Sequence, residues 1–177
     1  MPSTGKPLHR ISIIFLNIEE VSKTCGLYMQ SDYLANMNGE GKYVLYADDD
    51  HEDQETLIEI LSELSEDLNL VCVDNGLAVI DFLDNIKAGE PFPCFVLLDI
   101  NIPGMNGLET LSFLKNHPTY GNLPVIIFTT SQDINSRITA SALKADDFII
   151  KPFQISELQN VAQKFAEMCG VVPVRRK

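Results

Sequence analysis

The sequence has little that would serve a thiol- or imidazole-based site. Its four cysteines (Cys25, Cys72, Cys94, Cys169) are scattered without a Cys-x-x-Cys pair, and none of its three histidines stands at metal-ligand spacing. Cys72 lies in an apolar run and Cys94 beside one, so both read as small buried thiols in a reducing compartment. No stretch approaches the ~20 apolar residues that a membrane span requires. The run Ile11–Ile18, preceded by Lys6, His9 and Arg10, is too short for a signal peptide. Asn17 interrupts it, and Glu19-Glu20 follow where a small-residue cleavage site should stand. A cytoplasmic location is expected.

Positive charge is also scarce. Thirteen Lys and Arg face 25 Asp and Glu, giving a formal net charge of −12. The imbalance is uneven: residues 1–41 carry −1, residues 42–170 carry −14 and residues 171–177 carry +3. A body this acidic repels a phosphate backbone, so no nucleic-acid partner is expected. Part of the acidity is instead expected to form a cation site.

What is present is the composition of one soluble domain: 177 residues, 45% hydrophobic and 21% charged. From residue 42 onward, near-continuous apolar runs alternate with amphipathic segments. The runs Val44–Ala47, Leu70–Val73, Phe95–Leu98, Val125–Phe128 and Phe148–Ile150 read as strands covered on both faces. Between them, helical spacing joins Leu57, Ile60, Leu61 and Leu64, then Leu77, Ile80 and Leu83, then Leu108, Leu111 and Leu114. A weaker set follows in Ile134, Ile138 and Ala142. A clear one closes the series in Ile155, Leu158, Val161, Phe165 and Met168. Five strands alternating with five helices predict an α/β fold, a doubly wound parallel sheet with helices on both faces.

Residues 1–41 do not share this rhythm. Two readings stand open: an extension that is flexible or loosely docked, or a natural start at Met37, just before the first strand. Beyond the fifth helix only the short basic tail 171–177 remains, so no second domain is expected.

Polar groups sit at the ends of four of these strands. Asp48-Asp49-Asp50 follow the first, Asp99 the third, Thr129 the fourth and Lys151 the fifth. In such sheets reactive groups lie outside the carboxyl ends of the strands, where strand order reverses. If the first and third strands are neighbours, Asp48, Asp49 and Asp99 crowd together, and their proton affinities rise unless a cation neutralises them. Oxygen-only ligands favour Mg²⁺. A lysine supplies a point charge for a phosphoryl group, and a threonine hydroxyl a hydrogen bond to it. The set suits phosphoryl transfer to a carboxylate nucleophile. Any one of these residues alone has a plainer reading. Asp50 and Asp53 suit a helix cap or solvated first turn, Lys151 a surface charge, and Thr129-Thr130 ordinary strand positions. Their joint occurrence at successive strand ends carries the argument.

The segments Tyr46–Asp50, Leu98–Gly107, Phe128–Ser131 and Ile150–Phe153 resemble the four motifs of response-regulator receiver domains, in the family's order and spacing over about residues 42–169. The resemblance implies a stand-alone receiver of flavodoxin-like topology, strand order 2-1-3-4-5, occupying residues 42–170. It implies that Asp99 is the phosphoacceptor for a sensor histidine kinase or histidine phosphotransfer protein. Asp49, Asp99 and the Asn101 backbone carbonyl would bind Mg²⁺, with Asp48 acting through a water. Lys151 would contact the phosphoryl group, the Lys151–Pro152 peptide would be cis, and Gly107 would be structural. Thr129 and Phe148 would form the switch, read out by a downstream protein on the face of the fourth helix, fifth strand and fifth helix, with a homodimer possible. Two departures stand out. Lys144 occupies a position where the family usually has Gly, and Thr130 is larger than the usual Ala or Ser, narrowing access to the phosphoryl group.

Such a switch assists its own phosphorylation but turns over no external substrate. Two other classes compete with this reading. An aspartyl-phosphate phosphatase of the haloacid dehalogenase type needs a second Asp two positions after the nucleophile, and position 101 is Asn; Asp48-x-Asp50 meets that spacing by itself, but the chain lacks a cap domain. A phosphorylation-independent interaction module would not need the complete acid–Thr–Lys set.

Overall fold

The computed structural model describes residues 42–172. The two readings of residues 1–41, and most of the basic tail, fall outside the described residues. Five strands, β1 (Lys42–Ala47), β2 (Leu68–Val73), β3 (Val96–Leu98), β4 (Val125–Thr129) and β5 (Asp147–Ile150), alternate with five helices. These are α1 (His51–Leu64), α2 (Gly76–Asp84), α3 (Gly107–Asn116), α4 (Ile134–Ala142) and α5 (Ile155–Met168). The strands form one parallel sheet in the order β2-β1-β3-β4-β5, as expected. β1 and β3 are therefore neighbours, with Ala47 opposite Leu98. No helix among the described residues is long and apolar enough to cross a membrane.

Side chains alternate across a strand, and the sequence places apolar groups on both faces of the central ones. Tyr43, Leu45, Ala47, Val96, Leu98, Val125 and Ile127 face a core completed by α2, α3 and α4. Val44, Tyr46, Leu97, Ile126 and Phe128 face a second core built with α1 and α5. Phe165 of α5 anchors that layer, its ring 5.4 Å from Phe95 and 5.7 Å from Phe128. Each such buried ring contributes roughly 1.5–3 kcal/mol over an exposed one.

Caps set where the helices start. The Asp50 side chain accepts from the Glu52 and Asp53 backbone N–H groups at the head of α1. Asn106 and Glu109 form a capping box at α3, satisfying donors that a helix start leaves open.

Three expectations need correction. Ile134, Ile138 and Ala142 do not face the core: Ile134 is 70% exposed, Ile138 is also exposed, and Ala140 is the buried residue of α4. The small Ala140 lets α4 lie close to the sheet, leaving the isoleucine stripe outside. In α2 the buried set is Val79, Phe82 and Leu83, while Leu77 is exposed. Finally, the Lys151–Pro152 peptide is trans, as is every peptide among the described residues. Trans is the lower-energy form even before proline, by about 0.5–1 kcal/mol. With it, Lys151 N–H still extends the β4–β5 ladder to the Thr129 carbonyl (2.8 Å).

Candidate functional site

Asp99 sits one residue beyond β3, and its N–H donates to the Ala47 carbonyl at 2.9 Å, which fixes it against β1. The residue is 6% exposed. Its Oδ1 accepts from the Thr129 hydroxyl (2.6 Å) and the Asn101 N–H (3.1 Å), and its Oδ2 accepts from Lys151 Nζ (3.1 Å). The backbone behind it leaves no room for a side chain. A Cβ at Gly107 would lie 2.1 Å from the Asp99 carbonyl oxygen, so the structural role expected of Gly107 has a steric basis.

Lys151 is buried, and its ammonium stands among three carboxylates. Besides Asp99, it donates to Asp48 Oδ2 and to Asp53 Oδ2 (2.7 Å). Burial alone would lower its proton affinity, but the hydrogen bonds to Asp48 and Asp53 and the Asp99 charge outweigh that and hold it above its ordinary value. Asp48 is 1% exposed. Burial raises its pKa, opposed by Lys151, by the Tyr46 hydroxyl donating to Oδ2, and by the Asp50 N–H (3.0 Å). The Gln54 amide holds the Asp48 carbonyl at 2.5 Å. No buried side-chain polar atom among the described residues lacks a partner, so this network is satisfied.

Thr129 is fully buried at the end of β4 and accepts from the Ser131 N–H (3.2 Å) while donating to Asp99. Phe148 is half-buried on β5, opposite Ile127 of β4. Arg137 covers it, with the guanidinium carbon 5.1 Å from the ring centroid and one N–H donating to the Phe148 carbonyl (3.2 Å). At Lys144 the backbone has φ 65°, so this lysine takes the left-handed conformation where the family's glycine stands.

Asp48, Asp99, Thr129 and Lys151 therefore converge, while Asp49 and Asn101 are exposed around them. The acidic cup expected at the strand ends holds an ammonium at its centre. Among the described residues no three His, Cys, Asp or Glu side chains form a preassembled metal cage. A hard divalent cation that keeps several of its waters needs only one or two of these carboxylates. The donors are all hard oxygens, and one ammonium leaves the four acids Asp48, Asp49, Asp53 and Asp99 in negative excess.

Sequence reasoning missed four residues here: Tyr46, Gln54, Arg137 and the ion pair of Asp53. Tyr46 reads as core because its ring is core, and only its hydroxyl reaches the site. Asp53 carries a detectable signal. It follows the Asp50 cap by three residues on a helix whose start lies at the carboxyl edge of the sheet.

A family model described as the response regulator receiver domain matches residues 44–163. The chain belongs to the response-regulator receiver family. Among curated relatives, the response regulator Rcp1 of Synechocystis sp. PCC 6803 is 29% identical over 124 residues, covering 69% of this chain and 84% of Rcp1. The phosphate regulon transcriptional regulatory protein PhoB of Escherichia coli is 30% identical over 67% of this chain and 52% of its own length. The receiver thus spans most of Rcp1 but about half of PhoB. The solved structure of the Mn²⁺-bound form of Rcp1 aligns with a TM-score of 0.63 at 27% identity, over 71% of this chain and 92% of that one. The phosphorylated cyanobacterial phytochrome response regulator RcpA shares the fold, with a TM-score of 0.66 at 22% identity over 76% and 99% of the two chains. The fold, strand order and strand-end chemistry all agree with this membership, and the receiver is a phosphoaccepting signalling switch of a two-component system.

Proposed function

We propose that Asp99 is the phosphoacceptor of this receiver. The observation that carries the assignment is its carboxylate, buried at the carboxyl edge of β3 and bound at one oxygen by Thr129 and at the other by Lys151. In the transfer step a carboxylate oxygen of Asp99 attacks the phosphorus of a phosphohistidine on a sensor kinase or histidine phosphotransfer protein. The P–N bond breaks, the imidazole leaves, and an acyl phosphate forms on Asp99. The Lys151 ammonium then pairs with phosphoryl oxygens, and the Thr129 hydroxyl turns its hydrogen bond from the carboxylate to one of them. Asp49, Asp99 and the Asn101 carbonyl would hold Mg²⁺, with Asp48 acting through a water, and the ion would supply charge neutralisation at those oxygens.

The motion of Thr129 vacates space that the Phe148 ring fills, and the α4–β5–α5 face changes shape. That face presents Ile134, Ile138, Ile150, Phe153 and Ile155 to solvent, an apolar surface suited to a protein partner or a second copy of the chain. Phosphorylation adds charge that only the rearranged state satisfies, shifting a pre-existing equilibrium. On this reading residues 42–170 are the functional unit, the protein acts in the cytoplasm, and no external substrate is turned over.

Incubation with acetyl phosphate and Mg²⁺, followed by intact-mass measurement, tests the assignment. One phosphate per chain is expected, absent from Asp99→Asn. Sustained phosphate release from varied esters would instead indicate a phosphatase, and no adduct in the wild type would indicate a phosphorylation-independent module.

A further inference from the structure

The Lys151 ammonium has three hydrogens and three carboxylate partners, so every donor it owns is committed. A phosphoryl group arriving on Asp99 can take over the bond to Asp99, but a second bond from the ammonium requires one of the other two to be given up. Asp48 is not the one to release, because it is buried and would be left as an unpaired charge. The Asp53 carboxylate is 42% exposed, and water can take over its solvation. Its position is set by the Asp50 cap, which places it in the first turn of α1 directly beside Lys151.

We infer that Asp53 is a positioning residue for phosphoryl transfer: its 2.7 Å ion pair draws the Lys151 ammonium toward α1 and keeps the bond to Asp99 the longer one, at 3.1 Å, so that the attacking carboxylate is less fully neutralised. Without Asp53 the ammonium settles on Asp99 and neutralises the attacking oxygen. With it, the ammonium stands between α1 and the phosphoacceptor, and releases its exposed partner when phosphoryl oxygens arrive. The inference rests on the Asp99 assignment but adds a residue that the strand-end set does not contain.

Simple electrostatics predicts the reverse effect, which makes the inference testable. Removing any acid near the site weakens repulsion of an anionic phosphodonor and speeds phosphorylation. Glu52 lies in the same turn and is exposed, so Glu52→Gln measures that background. Phosphorylation by acetyl phosphate is to be compared in wild type, Asp53→Asn, Asp53→Glu and Glu52→Gln, each checked for an unchanged melting transition. Asp53→Asn is expected to react about tenfold more slowly than wild type, the order expected from losing one charge-assisted hydrogen bond. Asp53→Glu is expected to recover most of the rate, and Glu52→Gln to equal or exceed wild type. A readout independent of reactivity is the ¹⁵N and ¹H resonance of the Lys151 ammonium, which is expected to shift in Asp53→Asn and not in Glu52→Gln. A rate for Asp53→Asn equal to that of Glu52→Gln, or an unmoved ammonium resonance, overturns the inference. If wild type forms no adduct, or Asp99→Asn still forms one, the phosphoacceptor assignment fails instead, so the two failures are separable.

Discussion

Arg137 on α4 stacks its guanidinium over the Phe148 ring at 5.1 Å and donates to the Phe148 carbonyl at 3.2 Å. The pair joins the helix and the strand that the proposed switch would move. Phe148 has no hydroxyl, so the guanidinium over its face is a polar restraint on a ring that can make no hydrogen bond of its own. An exposed cation–π contact is worth about 0.5–1 kcal/mol, which corresponds to roughly a two- to fivefold bias. Arg137→Ala is therefore expected to populate the rearranged state more, and to raise the acetyl phosphate reaction rate by about that factor. Arg137→Lys should lie between. Rates unchanged in both variants would show that the contact does not restrain the switch.

Thr130 is exposed beside the buried Thr129. On the proposed reading its side chain, larger than Ala or Ser, narrows the path of water to a phosphoryl group on Asp99. Thr130→Ala is expected to shorten the lifetime of the adduct several-fold, followed as loss of mass after removal of the phosphodonor. Equal lifetimes would remove Thr130 from any gating role.

The Gly107 position admits no side chain, because a Cβ there would meet the Asp99 carbonyl oxygen at 2.1 Å. Backbone atoms would have to yield. Gly107→Ala is expected to cost about 1–3 kcal/mol of stability in a denaturant titration, the usual penalty of overpacking, and to slow phosphorylation by shifting Asp99. A variant as stable and as reactive as wild type would contradict the packing described.

Two of the described thiols differ sharply. The hydrogen bond from Cys169 lowers the Cys94 thiol to about 7, against the opposing effect of burial, while burial pushes Cys72 up to about 12. The thiolate is the nucleophile, so reactivity rises with pH through the thiol's pKa. Iodoacetamide labelling of Cys94 is expected to rise steeply between about pH 6 and 8, with Cys72 unlabelled over that range, as read by peptide mass mapping. Parallel labelling of both sites would reverse the assignment.

Much of this site is legible in the chain because its parts are strand ends, and strand ends are marked by a change from apolar to polar residues. Asp48, Asp99, Thr129 and Lys151 all follow that rule, and one sheet edge gathers them. The face of α4 was misread because hydrophobic spacing marks a stripe without saying which side of the helix meets the core. Small Ala140 makes that contact, and Ile134 and Ile138 are left outside. The ion pair of Asp53 and the hydroxyl of Tyr46 were missed for another reason. Each belongs to an element with an adequate local role, a helix turn or a core ring, and only the packing of α1 and β5 against the sheet reveals the second one. The cis expectation at Lys151–Pro152 came from family likeness, not from the chemistry of these residues.

The strand that ends just before Asp99 is three residues long and is paired on both sides, to β1 through Leu45, Tyr46 and Ala47 and to β4 through Val125, Ile126 and Ile127. A short rod clamped along its full length cannot pivot to accommodate new charge at its tip. On the proposed reading displacement would fall on the loops that leave the sheet after β4 and β5, and a disturbance at the centre of the molecule would be delivered to its far edge.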